Sequence, residues 1–178
     1  VTHFQLVTFH AVCKDGVSFA FAFALLPNKK SSSYVKAFGE LDNVATRECG
    51  TRVFGRRDVV VSCDFEKGLL KALGHFACDV KCCHFHMCQS IWRFVTKCGL
   101  ASRYYTDTSF RVRVRYLMML PMLPHDKIVE AFRELEQFFP ETDDGLWAVY
   151  RYFDDVWLNG FPIAIWSQYD VLHRTNNV

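Results

Sequence analysis

Residues 3 to 13 are an apolar run, and large apolar residues alternate with small ones over Val17 to Leu26, with Lys14-Asp15-Gly16 between the two runs. Asp-Gly between two apolar runs predicts two strands joined as a hairpin. In the second run Val17, Phe19, Phe21, Phe23 and Leu25 alternate with Ser18, Ala20, Ala22 and Ala24, so neither face is polar and the strand is expected to be covered on both sides. Pro27 to Ser33 reads as a loop supplying an N-cap, and a helix is predicted over roughly Ser32 to Val44. After a polar loop, Val59 to Cys63 is a short continuous apolar run, the pattern of a strand with parallel neighbours. Leu69, Leu70, Leu73 and Phe76 line one face of a predicted helix over Phe65 to Phe76. Cys78 to Cys83 is expected to be a short strand.

From Met87 the period is helical, with helices predicted over 87–98, 101–106, 108–120, 125–139 and 146–154. Ile128, Phe132, Leu135 and Phe139 form a stripe in the fourth. Phe110 to Tyr116 (FRVRVRY) fits both periods; the spacing of Phe110, Val114 and Leu117 and its helical neighbours favour helix. The order is β-β-α-β-α-β followed by helices. A hairpin, a crossover helix and further strands predict an α/β fold with a mixed sheet. That order matches a partial ribonuclease-H-like core with the first strand missing, followed by a long all-helical insertion. The expected division is a core over 1–86, an insertion over 87–170 and a return toward the core over 171–178.

Composition narrows the class. A chain of 178 residues that is 51% hydrophobic can bury one core, or one core with an insertion. A net charge of +2 is too mild to establish a nucleic-acid partner. No run of 18 apolar residues occurs, so no membrane span is expected, and the N-terminus lacks a signal-peptide layout. The eight cysteines in so apolar a chain point to a reducing compartment, with thiols buried or metal-bound. Val1 and the polar RTNN before Val178 suggest a piece of a longer protein.

The candidate chemistry centres on Val59 to Arg93. Asp64 ends an apolar strand, where metal-dependent phosphoryl chemistry places a ligand and where a helix N-cap is equally at home. Glu66 fits the first turn of the following helix. In Cys78 to Cys88 (CDVKCCHFHMC), Cys83 and His86 have zinc-binding spacing, with Cys78, Cys82, His84 and Cys88 as further donors. A zinc finger needs a second paired half, and His125 and His173 stand isolated; buried structural thiols are the alternative. Arg111 and Arg115 share a predicted helix face and suit either phosphate contacts or a solvated surface. Trp92, Trp147, Trp157 and Trp166 suit core packing, or stacking on an extruded base.

Taken in order, HFQLVTFHAV, FALLPNKKSSSYVKAF, VVVSCDFEKGLLKAL, CCHFHMCQSIWR, MLPMLPHDKIVEAFREL, YFDDVWLNG and IAIWSQYDVLHRTNN resemble the MULE (Mutator-like element) transposase domain, a DDE transposase with a ribonuclease-H-like fold. The resemblance covers nearly the whole chain and rests on the ordered set. It implies that Asp64 is the second carboxylate of the catalytic triad, binding Mg²⁺ or Mn²⁺. It also implies that Cys83 and His86 form a structural Cys-x-x-His motif, with zinc a less favoured occupant, and that Gln89 and Trp92 share the matched helix. The family's first Asp and its final Glu match no residue here. Glu130, Glu134, Asp154, Asp155 and Asp170 lie in contexts unlike the triad.

The function implied is metal-dependent DNA cleavage and strand transfer by the full-length protein, acting on transposon ends and target DNA as a homo-oligomer in the nucleus. The 178 residues alone are expected to be inactive. The alternatives are a domesticated, non-catalytic DNA-binding regulator and a small zinc-binding interaction module built on Cys78 to Cys88.

Overall fold

The computed structural model describes residues 4–13 and 16–171. The expected turn positions Lys14 and Asp15, and segment 172–178 with His173, the RTNN motif and most of the expected return to the core, lie outside the described residues. The described residues fall into two compact units, one up to Val80 and one from Lys81.

In the first unit, β1 (Gln5–Val12) and β2 (Ser18–Leu26) form the antiparallel hairpin that the sequence predicts. The register shifts between Phe9 and His10, where Phe9 faces Ala22 but His10 faces Ala20, so Phe21 is a bulge residue. Helix α1 (Ser31–Cys49) follows. Asn28, just ahead of it, accepts hydrogen bonds through Oδ1 from the Lys30 backbone N–H and the Ser33 hydroxyl. The helix runs past Val44 to Gly50, whose φ of +69° is the left-handed conformation that ends a helix without a Cβ penalty. β3 (Val60–Cys63), α2 (Lys67–His75) and β4 (Asp79–Cys82) complete the alternating part.

Tyr34 and Phe38, one turn apart on α1, pack with Leu26, Phe54, Ala72 and Leu73 into an aromatic-rich core. Phe38 and Phe54 stack at 4.7 Å. Val7, Phe9 and Ala24 meet this core from the hairpin, and Leu69 and Phe76 from around α2. Asp42 is buried in the same unit. Its Oδ1 accepts from the Val53 and Phe54 backbone N–H groups at 2.8 and 3.0 Å, and Oδ2 from Arg52 Nε at 3.0 Å.

Two sequence expectations change. The mixed α/β class holds, but the strands form two separate two-stranded sheets, β1 with β2 and β3 with β4, rather than one continuous mixed sheet. β2 is not covered on both sides: Phe23 is 66% and Leu25 69% exposed, on the face shared with Phe4 and Leu6 of the first strand region. The core described above packs on the other face only, so the apolar alternation of β2 marks one covered face and one open one.

The second unit is helical: α3 (His84–Lys97), α4 (Ala101–Thr106), α5 (Thr108–Met119), α6 (Ile128–Leu135), α7 (Asp144–Phe153) and α8 (Ile163–Trp166), with short 3₁₀ turns and a π-turn over Asp154–Leu158. FRVRVRY is helix, and Phe110, Val114 and Leu117 are its buried positions. Phe132 stacks flat on Tyr150 at 4.4 Å. Arg103 joins two helix starts. Its guanidinium makes a bidentate pair with Asp143 at 2.8 and 2.6 Å and reaches Asp107 at 3.3 Å. Asp107 caps α5 by accepting from the Phe110 N–H, and Asp143 caps α7 by accepting from the Leu146 N–H. Among the described residues no helix is long and apolar enough to cross a membrane.

Candidate functional site

The carboxylate singled out by sequence lies directly after β3, where the apolar strand gives way to the polar approach to α2. Asp64 is half-buried, and its Oδ1 accepts from the Glu66 backbone N–H at 3.0 Å. That is an Asx-turn, a side chain standing in for the backbone to turn the chain into the helix. The capping role expected of an Asp here is thus partly realised, two residues ahead of the N-cap position.

Glu66, at the N-cap position of α2, is the more heavily anchored group. One carboxylate oxygen receives Lys29 Nζ at 2.7 Å, and the other receives the Tyr34 hydroxyl. Tyr34 is 1% exposed, and its hydroxyl also accepts from Gln5 Nε2 at 2.8 Å. Burial first, and then the bond to Glu66, push the Tyr34 phenol well above its ordinary pKa. The hydrogen bond and charge of Glu66 raise Lys29. Gly68, in the first turn of α2, makes this approach possible. A Cβ there would stand 2.2 Å from the Lys29 carbonyl oxygen.

This cluster ties the ends of β2, α1, β3 and α2 around Asp64. A two-cation phosphoryl-transfer centre needs several carboxylate oxygens converging on the metals. Both oxygens of Glu66 are occupied by Lys29 and Tyr34, and no three His, Cys, Asp or Glu side chains among the described residues come together to hold a metal. The residues present therefore do not fit a two-metal centre by themselves.

Cys83 and His86 belong to the other unit from Asp64. Cys83, at the N-cap position of α3, is buried, whereas His86 is exposed in the first turn. The neighbouring side chains make contacts of their own. His84 Nε2 donates to the Met118 carbonyl at 2.7 Å, and the Cys88 thiol lies 3.3 Å from the same nitrogen. Burial pushes the Cys88 thiol up to about 11, which keeps it neutral near pH 7. Burial likewise raises Cys78. Among the described residues the cysteines are free thiols, with no disulfide between them. Glu130 and Glu134 lie on α6, and Asp154 and Asp155 on the π-turn.

Arg111 is spent on structure: it donates to the carbonyls of Tyr104 and Tyr105 at the end of α4 and to the Thr108 hydroxyl. Arg115, exposed one turn further on, reaches the Tyr104 hydroxyl at 3.4 Å. Of the tryptophans, Trp157 and Trp166 are core, with Trp166 Nε1 donating to the Trp157 carbonyl at 3.0 Å. Sequence reasoning did not find Lys29 and Tyr34 beside Asp64. Tyr34 carries only a core signal, four residues before Phe38, and nothing local pairs it with Glu66. No family model, no curated protein and no solved structure matches this chain.

Proposed function

We propose that this chain is part of a DDE-type, Mutator-like DNA transposase in which Asp64 is one of the three metal-binding carboxylates. The observation that carries the reading is the carboxylate directly after the apolar strand β3, pinned at the start of α2 by its own turn and by the Glu66–Tyr34–Lys29 cluster. The β-β-α-β-α-β order followed by helices supports it, being the order that the family resemblance implies for a ribonuclease-H-like core and its insertion. On this reading the whole protein cleaves and joins DNA at transposon ends and target with Mg²⁺ or Mn²⁺, as a homo-oligomer in the nucleus. The chain's own contribution is placement: the strand end and the anchored helix start hold Asp64 at a fixed point. These residues alone do not cut DNA.

A second reading, a non-catalytic DNA-binding relative, is favoured by the engagement of Asp64 Oδ1 in the turn. One experiment separates the two. Protein carrying the native flanking segments is incubated with element-end DNA and Mg²⁺ or Mn²⁺, with and without Asp64→Asn. The transposase reading expects metal-dependent nicking that Asp64→Asn reduces to background. Folded protein that binds the DNA but does not nick it with Asp64 intact supports the regulator instead.

A further inference from the structure

An open pocket of about 330 Å³ lies on the helical unit, against α3, α4 and the end of α5. Its walls are aromatic: Phe85 and Trp92 from α3, Tyr104 and Tyr105 from α4. Trp92 meets Tyr104 at 4.8 Å and Tyr105 at 5.7 Å, both edge-on, so the three rings turn their faces in different directions. Tyr105 is 70% and Phe85 50% exposed, which leaves ring surface open. The volume is at the small end for ligand pockets, which run from about 300 to 1,000 Å³.

The polar inventory selects the ligand. Gln89 supplies an amide donor and acceptor at the wall. No carboxylate lines the pocket, which disfavours an ammonium or methylammonium guest, and no cation lines it either. A guanidinium stands just outside: Arg115, exposed, hydrogen-bonded to the hydroxyl of the wall residue Tyr104. Arg111 holds the Tyr104 and Tyr105 carbonyls, which fixes the segment carrying those rings. A neutral planar group beside an anionic backbone answers all of these features. We propose that this pocket takes a single unpaired nucleobase of a DNA strand, stacked on its exposed aromatic surface, with Gln89 at the base edge and Arg115 toward the phosphate. The choice of DNA rests on the function proposed above; the stacking does not.

The test uses the chain as it stands and a short single-stranded oligodeoxynucleotide carrying one 2-aminopurine. The base fluorescence should be quenched on binding, and an abasic site in place of the 2-aminopurine should weaken binding. Tyr105→Ala should weaken it by about 5- to 150-fold, the range for loss of one stacked base. Because the Tyr105 ring is largely exposed, the variant's thermal melt should match that of the parent. Arg115→Gln should lower the salt dependence of binding with the quenching retained. Equal affinity for the abasic strand, or no effect of Tyr105→Ala, overturns the proposal, as does preferential binding of a trimethyllysine peptide. Duplex binding that ignores Tyr105→Ala removes the pocket but leaves the transposase reading standing. Stacking with no nicking by the flanked protein removes the latter and keeps the pocket.

Discussion

Replacing Asp42 by alanine should cost the first unit a large part of its stability. The carboxylate is 5% exposed and holds two backbone donors that lead the 51–54 loop into the core. Phe54, whose N–H is one of them, is 4% exposed and stacks on Phe38. Without Asp42 both amides keep their burial and lose their acceptor. A hydrogen bond to a charged group is worth about 1.5–3 kcal/mol, and an orphaned buried donor carries a desolvation penalty of about 1–3 kcal/mol. The Val53 amide is only half-buried and belongs at the low end, so the two together come to about 3–5 kcal/mol. The Arg52 pair adds less than about 1 kcal/mol, because the guanidinium is 59% exposed. Against a whole-domain stability of about 5–15 kcal/mol this is a severe loss. With a urea slope of about 1–3 kcal/mol per molar, the far-UV circular dichroism midpoint should fall by about 2 M. The amides of Val53 and Phe54 should lose hydrogen-exchange protection in the same variant. Arg52→Ala, which removes only the exposed partner, is the control and should move the midpoint by less than about 0.5 M. Equal shifts for the two variants, with amide protection retained, would refute the reasoning.

Two further outcomes follow from close approaches. Gly68→Ala places a methyl 2.2 Å from the Lys29 carbonyl, a backbone atom that cannot rotate away, so the first turn of α2 must separate from the loop that carries Lys29. A loss of about 1–3 kcal/mol, read as a lower melting temperature, is expected, and an unchanged melt would argue against this close contact. In the helical unit, the hydrogen bond from Arg103 holds the Asp143 carboxyl below its usual range, and the Phe110 amide does the same for Asp107. A folded pKa below the unfolded one gives stability that is present above about pH 4 and lost as pH falls through the folded value. Asp143→Asn should therefore lower stability at pH 7 and flatten the acid limb of the pH–stability curve. An acid limb as steep as that of the parent would show that this pair does not set it.

The elements themselves were legible because each depends on near neighbours. Asp-Gly between two apolar runs marked the hairpin, and the spacing of Phe110, Val114 and Leu117 identified a helix in a segment that also alternates like a strand. The position of Asp64 at a strand end could be read for the same reason, since an apolar β-branched run and the amphipathic period after it bracket one residue. Periodicity records which backbone geometry lets a segment bury one side, and that is decided within a few residues.

Tertiary structure decided what lies across the chain. Glu66 is claimed by Tyr34, 32 residues earlier, and Arg103 by Asp143, 40 residues later. Nothing in the local pattern selects either partner over its neighbours. The same limit applies to β2: alternating Phe and Ala shows that both faces are apolar but not that one lacks a covering layer. Cys83 and His86 have zinc-binding spacing, and folding buries the first and leaves the second exposed. Spacing fixes where a side chain leaves the backbone, whereas a site also needs groups brought in from distant segments, and only packing chooses those.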